Sequence, residues 1–211
     1  MAGRDEMEDY EIIEHLKTSS NTADKFLIVA INYIEPTYIK FESGQDMKVG
    51  DRIKVEKNDV FIGQKKIGEI KETKRAGDVK IDTRYDIKYT GGYSVNGKIV
   101  YLDEHFPKTI IVGGRVVDTV ESIDRHHEVT EKWLIDDAYE YAYAHEIATK
   151  IEREYVESLG VDWDDYCKEV NRNLRIVYMT KAEKTPSDLD LAPYFYSKDE
   201  KALKEIRETK Q

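Results

Sequence analysis

The apolar positions of the chain change period along its length. From Lys25 to about Val100, apolar and charged residues alternate in short runs such as "KFLIVAINYI", "TYIKFES" and "DRIKVEKNDVFIGQKKIGEIKE". These runs are rich in β-branched and aromatic residues and are punctuated by "VGD", "KND" and "IGQ", which predicts several short antiparallel strands. Strands at this spacing predict a small barrel or a curled sheet. A second β region follows in "YDIKYTGGYSVNGKIVYLDEHFP" and "KTIIVGGRVVDT", where Asn96-Gly97 and Gly113-Gly114 are placed to turn hairpins. The period then becomes helical over 122–135 and 137–159, and a third helix is expected to start near Asp162.

Residues 1–23 read as an acidic N-terminal arm. Tyr10, Ile12, Ile13 and Leu16 allow a short helix there, which "TSSNTAD" breaks. The expected organisation is α+β, with a β-rich module at 24–80, a sheet-plus-helical-hairpin domain at 81–176 and a C-terminal extension at 177–211. The extension carries two prolines and a charge-dense stretch suited to a short surface helix.

Composition narrows the function classes. With 40% apolar residues in 211, the chain can bury a core. Its 43 acidic residues outnumber 33 basic ones, and the net charge of −10 disfavours general attraction to nucleic-acid phosphates or anionic lipid. Basic residues locally prevail between Asp51 and Lys80, a pattern read as a solvated strand face. The longest apolar run, "FLIVAI", is far short of the roughly 20 residues that span a bilayer, and the start lacks the layout of a secretory signal. A soluble, cytoplasmic protein is expected. Cys167 is the single cysteine, so no intrachain disulfide or thiolate-rich zinc site can form. "YTGGYSVNGK" has neither the Walker nor the GxGxxG spacing of a phosphate loop.

The strongest chemical signal lies in "RHHEVTE" and "YAYAHEIATKIE". On a helical wheel His127 falls in the middle of an apolar face with Ile123 and Leu134, and Glu131 lies beside it one turn on. Glu128 sits on the border of that face. On the second helix Glu146, Lys150, Arg153 and Glu157 mark the wet side, while Glu152 falls near the dry side, about two turns from His145. A buried, adjacent His and Glu is expensive unless something compensates it. Two such helices packed as a hairpin would converge His127, Glu131, His145 and Glu152 on one cation. Two nitrogens with carboxylate oxygens suit zinc, and also iron or manganese. Glu128, directly after the first histidine, is placed to take a proton from a water molecule. His126 reads as packing and His105 as a loop residue with a cleft-lining alternative. One of Tyr139, Tyr141 and Tyr143 could serve an oxyanion, without the sequence choosing among them.

"HHEVTE" resembles the HExxH helix of the zincin metallopeptidases with Glu131 in place of the second histidine. "AHEIATKIE" resembles the downstream helix that completes their site. The same pair of helices, an HExxE helix followed by an "AH" helix, is similar to that of certain phage and bacterial proteins. The resemblance is confined to these two helices and the strand before them. It implies a zincin-like domain over 81–176 and a zinc-dependent hydrolase of peptide or amide bonds, with a peptide or protein as substrate. His127 would be the first ligand, Glu131 would fill the second-ligand position and His145 would complete the set. Glu152 would be a fourth or supporting ligand, Glu128 the general base, and "KIVYLDEHFP" the edge strand along which substrate lies. Two rival readings use the same residues. One is a non-catalytic binding or assembly protein of a phage or mobile element, holding a structural metal or a buried polar network. The other is a carboxylate-bridged di-iron protein that adds Asp124 and Glu128.

Overall fold

A computed structural model describes residues 8–18, 25–32, 34–44 and 47–210. By internal contacts the chain forms two units, Met1–Arg75 and Ala76–Gln211.

In the first unit, β1 (Glu8–Thr18), β2 (Lys25–Asn32), β3 (Thr37–Ser43), β4 (Arg52–Glu56), β5 (Asp59–Ile62) and β6 (Lys65–Arg75) close into an antiparallel barrel. Its order is β1-β2-β3-β6-β5-β4. Strand β4 shows the cause in miniature: Ile53 and Val55 point into the barrel while Arg52 and Lys54 stay exposed. They join Tyr10, Phe41, Val60 and Ile67 in the interior. The segment expected to be an acidic arm with a short helix is instead strand β1, hydrogen-bonded to both β2 and β4. Closing the barrel requires this strand, and pairing on both edges overrides the local helical pattern. The rest of that segment, 1–7 and 19–23, lies outside the described residues.

The second unit holds the candidate site. Strands β7 (Lys80–Tyr85), β8 (Gly91–Tyr93) and β9 (Ile99–Asp103) form a sheet ordered β7-β9-β8. Strand β9 runs parallel to β7 and antiparallel to β8, and Val100–Asp103 are buried. The strand expected at the sheet edge is therefore central, with β7 and β8 on either side of it. A separate hairpin joins β10 (Thr109–Val112) to β11 (Arg115–Asp118). Its turn needs the two glycines, since Gly113 and Gly114 adopt φ of 56° and 79°.

A π-helical segment, Val120–Glu128, runs directly into α1 (Val129–Asp136). The turn that follows ends at α2 (Tyr141–Ser158) rather than at 137, with Ala138 in a left-handed conformation at φ 65°. Helix α3 (Trp163–Met179) starts where Asp162 accepts a hydrogen bond from the Asp165 amide. Residues 177–210 pack within this unit. Tyr194 of α4 (Ala192–Ser197) and Ala202, Leu203 and Ile206 of α5 (Glu200–Thr209) are buried with Ile87 and Tyr101 of the sheet side. Among the described residues no helix is long and apolar enough to cross a membrane.

Candidate metal centre

The π segment fixes the first half of the site. Asp118 Oδ1 accepts from the Val120 and Glu121 amides at its start, and at its end the Val129 amide bonds to Asp124 O, a step of five residues. The wider ring differs from the regular helix assumed on the wheel, and π turns are frequent at functional sites. Ser122, Asp124, His126, His127 and Glu128 are all buried along it.

His127 is oriented from behind. Glu152 Oε2 lies 2.9 Å from His127 Nδ1, and Glu152 Oε1 accepts from Tyr166 Oη at 2.7 Å. Tyr166 Oη is also 2.8 Å from Ser122 Oγ. The carboxylate places the proton on Nδ1 and leaves Nε2 as the outward, metal-competent nitrogen. That nitrogen is 3.2 Å from His145 Nδ1 and 3.7 Å from Glu131 Oε2. His145 Nδ1 is 2.8 Å from Glu131 Oε2, whose other oxygen accepts from Tyr93 Oη at 2.8 Å. Tyr141 stacks on the His145 ring at 5.8 Å, and the His145 side chain remains half exposed.

The donor set fits a divalent ion. Zinc bonds of about 2.0–2.2 Å in a tetrahedron put neighbouring ligand atoms roughly 3.3–3.6 Å apart. The separations of 3.2, 3.7 and 2.8 Å bracket that range. Moreover, His145 Nδ1 faces two acceptors, His127 Nε2 and Glu131 Oε2, and one proton on it cannot serve both. A cation serves all three atoms at once. Of the four ligands expected from sequence, His127, Glu131 and His145 thus converge through one donor atom each. Glu152 stands one layer back, on the far nitrogen of His127.

Glu128 is buried beside this cluster and faces the same cavity. Burial, reinforced by the Glu131 charge, pushes its carboxyl up to about 8. Glu131 behaves oppositely: burial disfavours its charge, but the neighbouring His127 and His145 rings and the Tyr93 hydroxyl outweigh this and hold it below the ordinary range. Asp124 is fully buried, and neither of its oxygens has a hydrogen-bond partner. Burial and the Glu128 charge hold its carboxyl well above the usual range, and it is not among the three residues whose donor atoms converge.

The cavity in front of the donors is about 400 Å3. Its walls come from Gly91 and Gly92 of β8, from Val170 and Leu174 of α3, and from Tyr194 and Tyr196 of α4. Tyr89 stacks on Tyr194 with ring centroids 4.5 Å apart. Of the three candidate tyrosines only Tyr141 lines the cavity; Tyr139 and Tyr143 face each other at 5.7 Å. Burial keeps Tyr141 a neutral phenol, its titration raised far above the usual range. His126 stacks on Tyr155 at 4.0 Å, a packing position, and His105 does not line the cavity.

Tyr93 and Tyr166 were not singled out by sequence, because each reaches its carboxylate from a distant element. Comparison of the chain with protein-family models, with curated proteins and with solved structures finds no match. The functional reading rests on the side chains themselves.

Proposed function

We propose that the chain is a metal-dependent hydrolase of peptide or amide bonds, with His127, Glu131 and His145 holding a zinc ion and Glu128 acting as general base. Iron or manganese also suits this donor set. A bound ion supplies Lewis acidity, bringing the acidity of water toward neutral pH. Glu128 then takes the proton of the attacking water and returns it to the leaving nitrogen. Tyr141, a neutral phenol at the cavity, donates to the oxyanion that develops on the carbonyl oxygen. Glu152 keeps the His127 ring turned to the site, and Tyr93 keeps Glu131. Gly91 and Gly92 of strand β8 line the cavity beside these donors.

The observation that carries this reading is the convergence of three donor atoms at 2.8–3.7 Å in front of an open cavity. A purely structural ion or polar network predicts a closed site instead. The half-exposed His145 and the buried Glu128 at the cavity wall favour catalysis. Elemental analysis of wild type and of His127→Ala with His145→Ala tests it. Near-stoichiometric metal that vanishes in the double variant is expected, together with a peptidase activity that Glu128→Gln lowers by about 10²-fold or more without loss of metal. Folded protein that stays metal-free after expression with added zinc would sink the reading.

A further inference from the structure

A second group of ligand-type side chains lies away from the cavity, where the loop leaving β9 meets the loop between β7 and β8. Asp86 and Asp103 are buried, and the His105 ring sits beside them, 42% exposed. Backbone amides anchor one oxygen of each carboxylate. Asp103 Oδ2 accepts from Ile87 at 2.8 Å and Lys88 at 3.1 Å, and Asp86 Oδ2 accepts from Glu183 at 2.7 Å and Lys184 at 2.9 Å. The remaining oxygens face His105 Nδ1, Asp86 Oδ1 at 3.0 Å and Asp103 Oδ1 at 3.7 Å. Asp103 Oδ1 also accepts from the His105 amide at 2.9 Å. Asp86 Oδ1 is wholly enclosed and has no hydrogen-bond partner, since His105 Nδ1 is near it but out of line.

We propose that Asp86, Asp103 and His105 form a second divalent-cation site, taking zinc or manganese through Asp86 Oδ1, Asp103 Oδ1 and His105 Nδ1. All three atoms lie within 4.8 Å of one another, and the two measured separations bracket the roughly 3.3 Å spacing of ligands around zinc. Among the described residues neither carboxylate pairs with a lysine or arginine, so two buried like charges stand side by side. Paired amides on the far oxygens give the orientation that outer partners give to ligating carboxylates. A histidine–aspartate pair alone leaves Asp86 Oδ1 without an aligned donor; an ion does not. The imidazole nitrogen favours zinc or manganese over calcium, and the exposed side of His105 leaves room for water ligands.

The site's role is structural. It clamps residues 183–184 and the loop after β9 to the turn at 86–88, where Lys88 is held at φ 69°. That turn leads into Tyr89–Gly92, one wall of the cavity.

Zinc titration of the chelator-stripped full chain by calorimetry tests the proposal. Wild type should bind two ions, and Asp86→Asn or His105→Ala should each lower the count by one. The asparagine keeps an acceptor for the Glu183 and Lys184 amides, so the fold is retained. His127→Ala with His145→Ala should keep one ion, which adding Asp86→Asn abolishes, and zinc should raise the thermal midpoint of the double variant but not of the triple. A double variant that binds no zinc, or an Asp86→Asn protein with the wild-type count, would overturn this site. A wild-type count that the double variant does not change would overturn the hydrolase centre and leave this one standing.

Discussion

Gly91 lies so close to Glu128 that a β-carbon added to it would sit 2.6 Å from Glu128 Oε1 and from Glu128 Cγ. No side chain fits between strand β8 and the π segment at this point, and the carboxyl of the proposed base is held in place by the backbone of that strand. Gly91→Ala is therefore expected to move Glu128. Overpacking at such a site destabilises by about 1–3 kcal/mol. Hydrolysis should fall as far as in Glu128→Gln while metal content stays at the wild-type level. Wild-type activity in a folded Gly91→Ala protein would show that the Glu128 position is not critical.

Tyr166→Phe removes the phenol that satisfies Glu152 Oε1 and touches Ser122. A buried carboxylate oxygen loses its donor, which costs about 1–3 kcal/mol. His127 is then held less firmly. Zinc affinity should weaken about 10- to 100-fold, the usual effect of deleting an outer partner of a metal ligand. Chelator competition measures the second quantity and urea denaturation the first. Unchanged zinc affinity would mean that Glu152 does not steer His127.

Asp124 gives a prediction of opposite sign. Its folded-state titration is raised by burial, so ionisation is disfavoured and the native state loses stability as pH rises from the unfolded value of about 3.9 toward the folded one. Asp124→Asn removes that loss and should raise the urea midpoint at pH 7, by the equivalent of about 1 kcal/mol or more. The gain should shrink on acidification and disappear near pH 4. A destabilised Asn variant at pH 7 would indicate that Asp124 is charged and compensated.

Lys88 and Glu205 make a case with the usual acid-side sign. Lys88 is buried, its Nζ donating to the carbonyls of Tyr178 and Thr180 and lying 2.9 Å from Glu205. The hydrogen bond from Lys88 holds the Glu205 carboxyl below its ordinary range. Its contribution is complete above the unfolded value of about 4.3 and is lost as pH falls through the folded one. Glu205→Gln should cost about 1–3 kcal/mol at pH 7, a difference that closes below about pH 4. Parallel urea titrations of the two proteins across pH check this; a difference that persists unchanged at pH 3 would count against the pair.

Much of the site could be read from residue spacing, because its parts lie on regular stretches. His127 and Glu131 are one turn apart, His145 and Glu152 two turns apart, and the hairpin brings the pairs together as periodicity expects. The division of labour could not be read that way. It depends on which nitrogen of His127 meets Glu152, a matter of ring orientation that Tyr166 and α3 decide from elsewhere in the chain. The wheel also assumed one helical pitch throughout, whereas Val120–Glu128 is π-helical. In the fold, alternation in "RIKVE" revealed a half-buried strand, and Gly113-Gly114 revealed a hairpin. Strand β1 was hidden because Tyr10, Ile12, Ile13 and Leu16 also fit a helix, and only pairing with β2 and β4 chooses between them. The role of α5 was hidden by its charges, although Ala202, Leu203 and Ile206 form a buried stripe.

The π segment carries one more residue in each hydrogen-bonded ring than the α-helix it enters. In genetic terms it is a helix with a codon to spare. Deleting a single residue between His127 and Glu131 would let the ladder close in α register, giving a more regular helix with His127 turned by about a quarter of a turn relative to Glu131. Regularity and the placement of His127 are thus alternatives at this position, separated by the smallest in-frame change a gene can undergo.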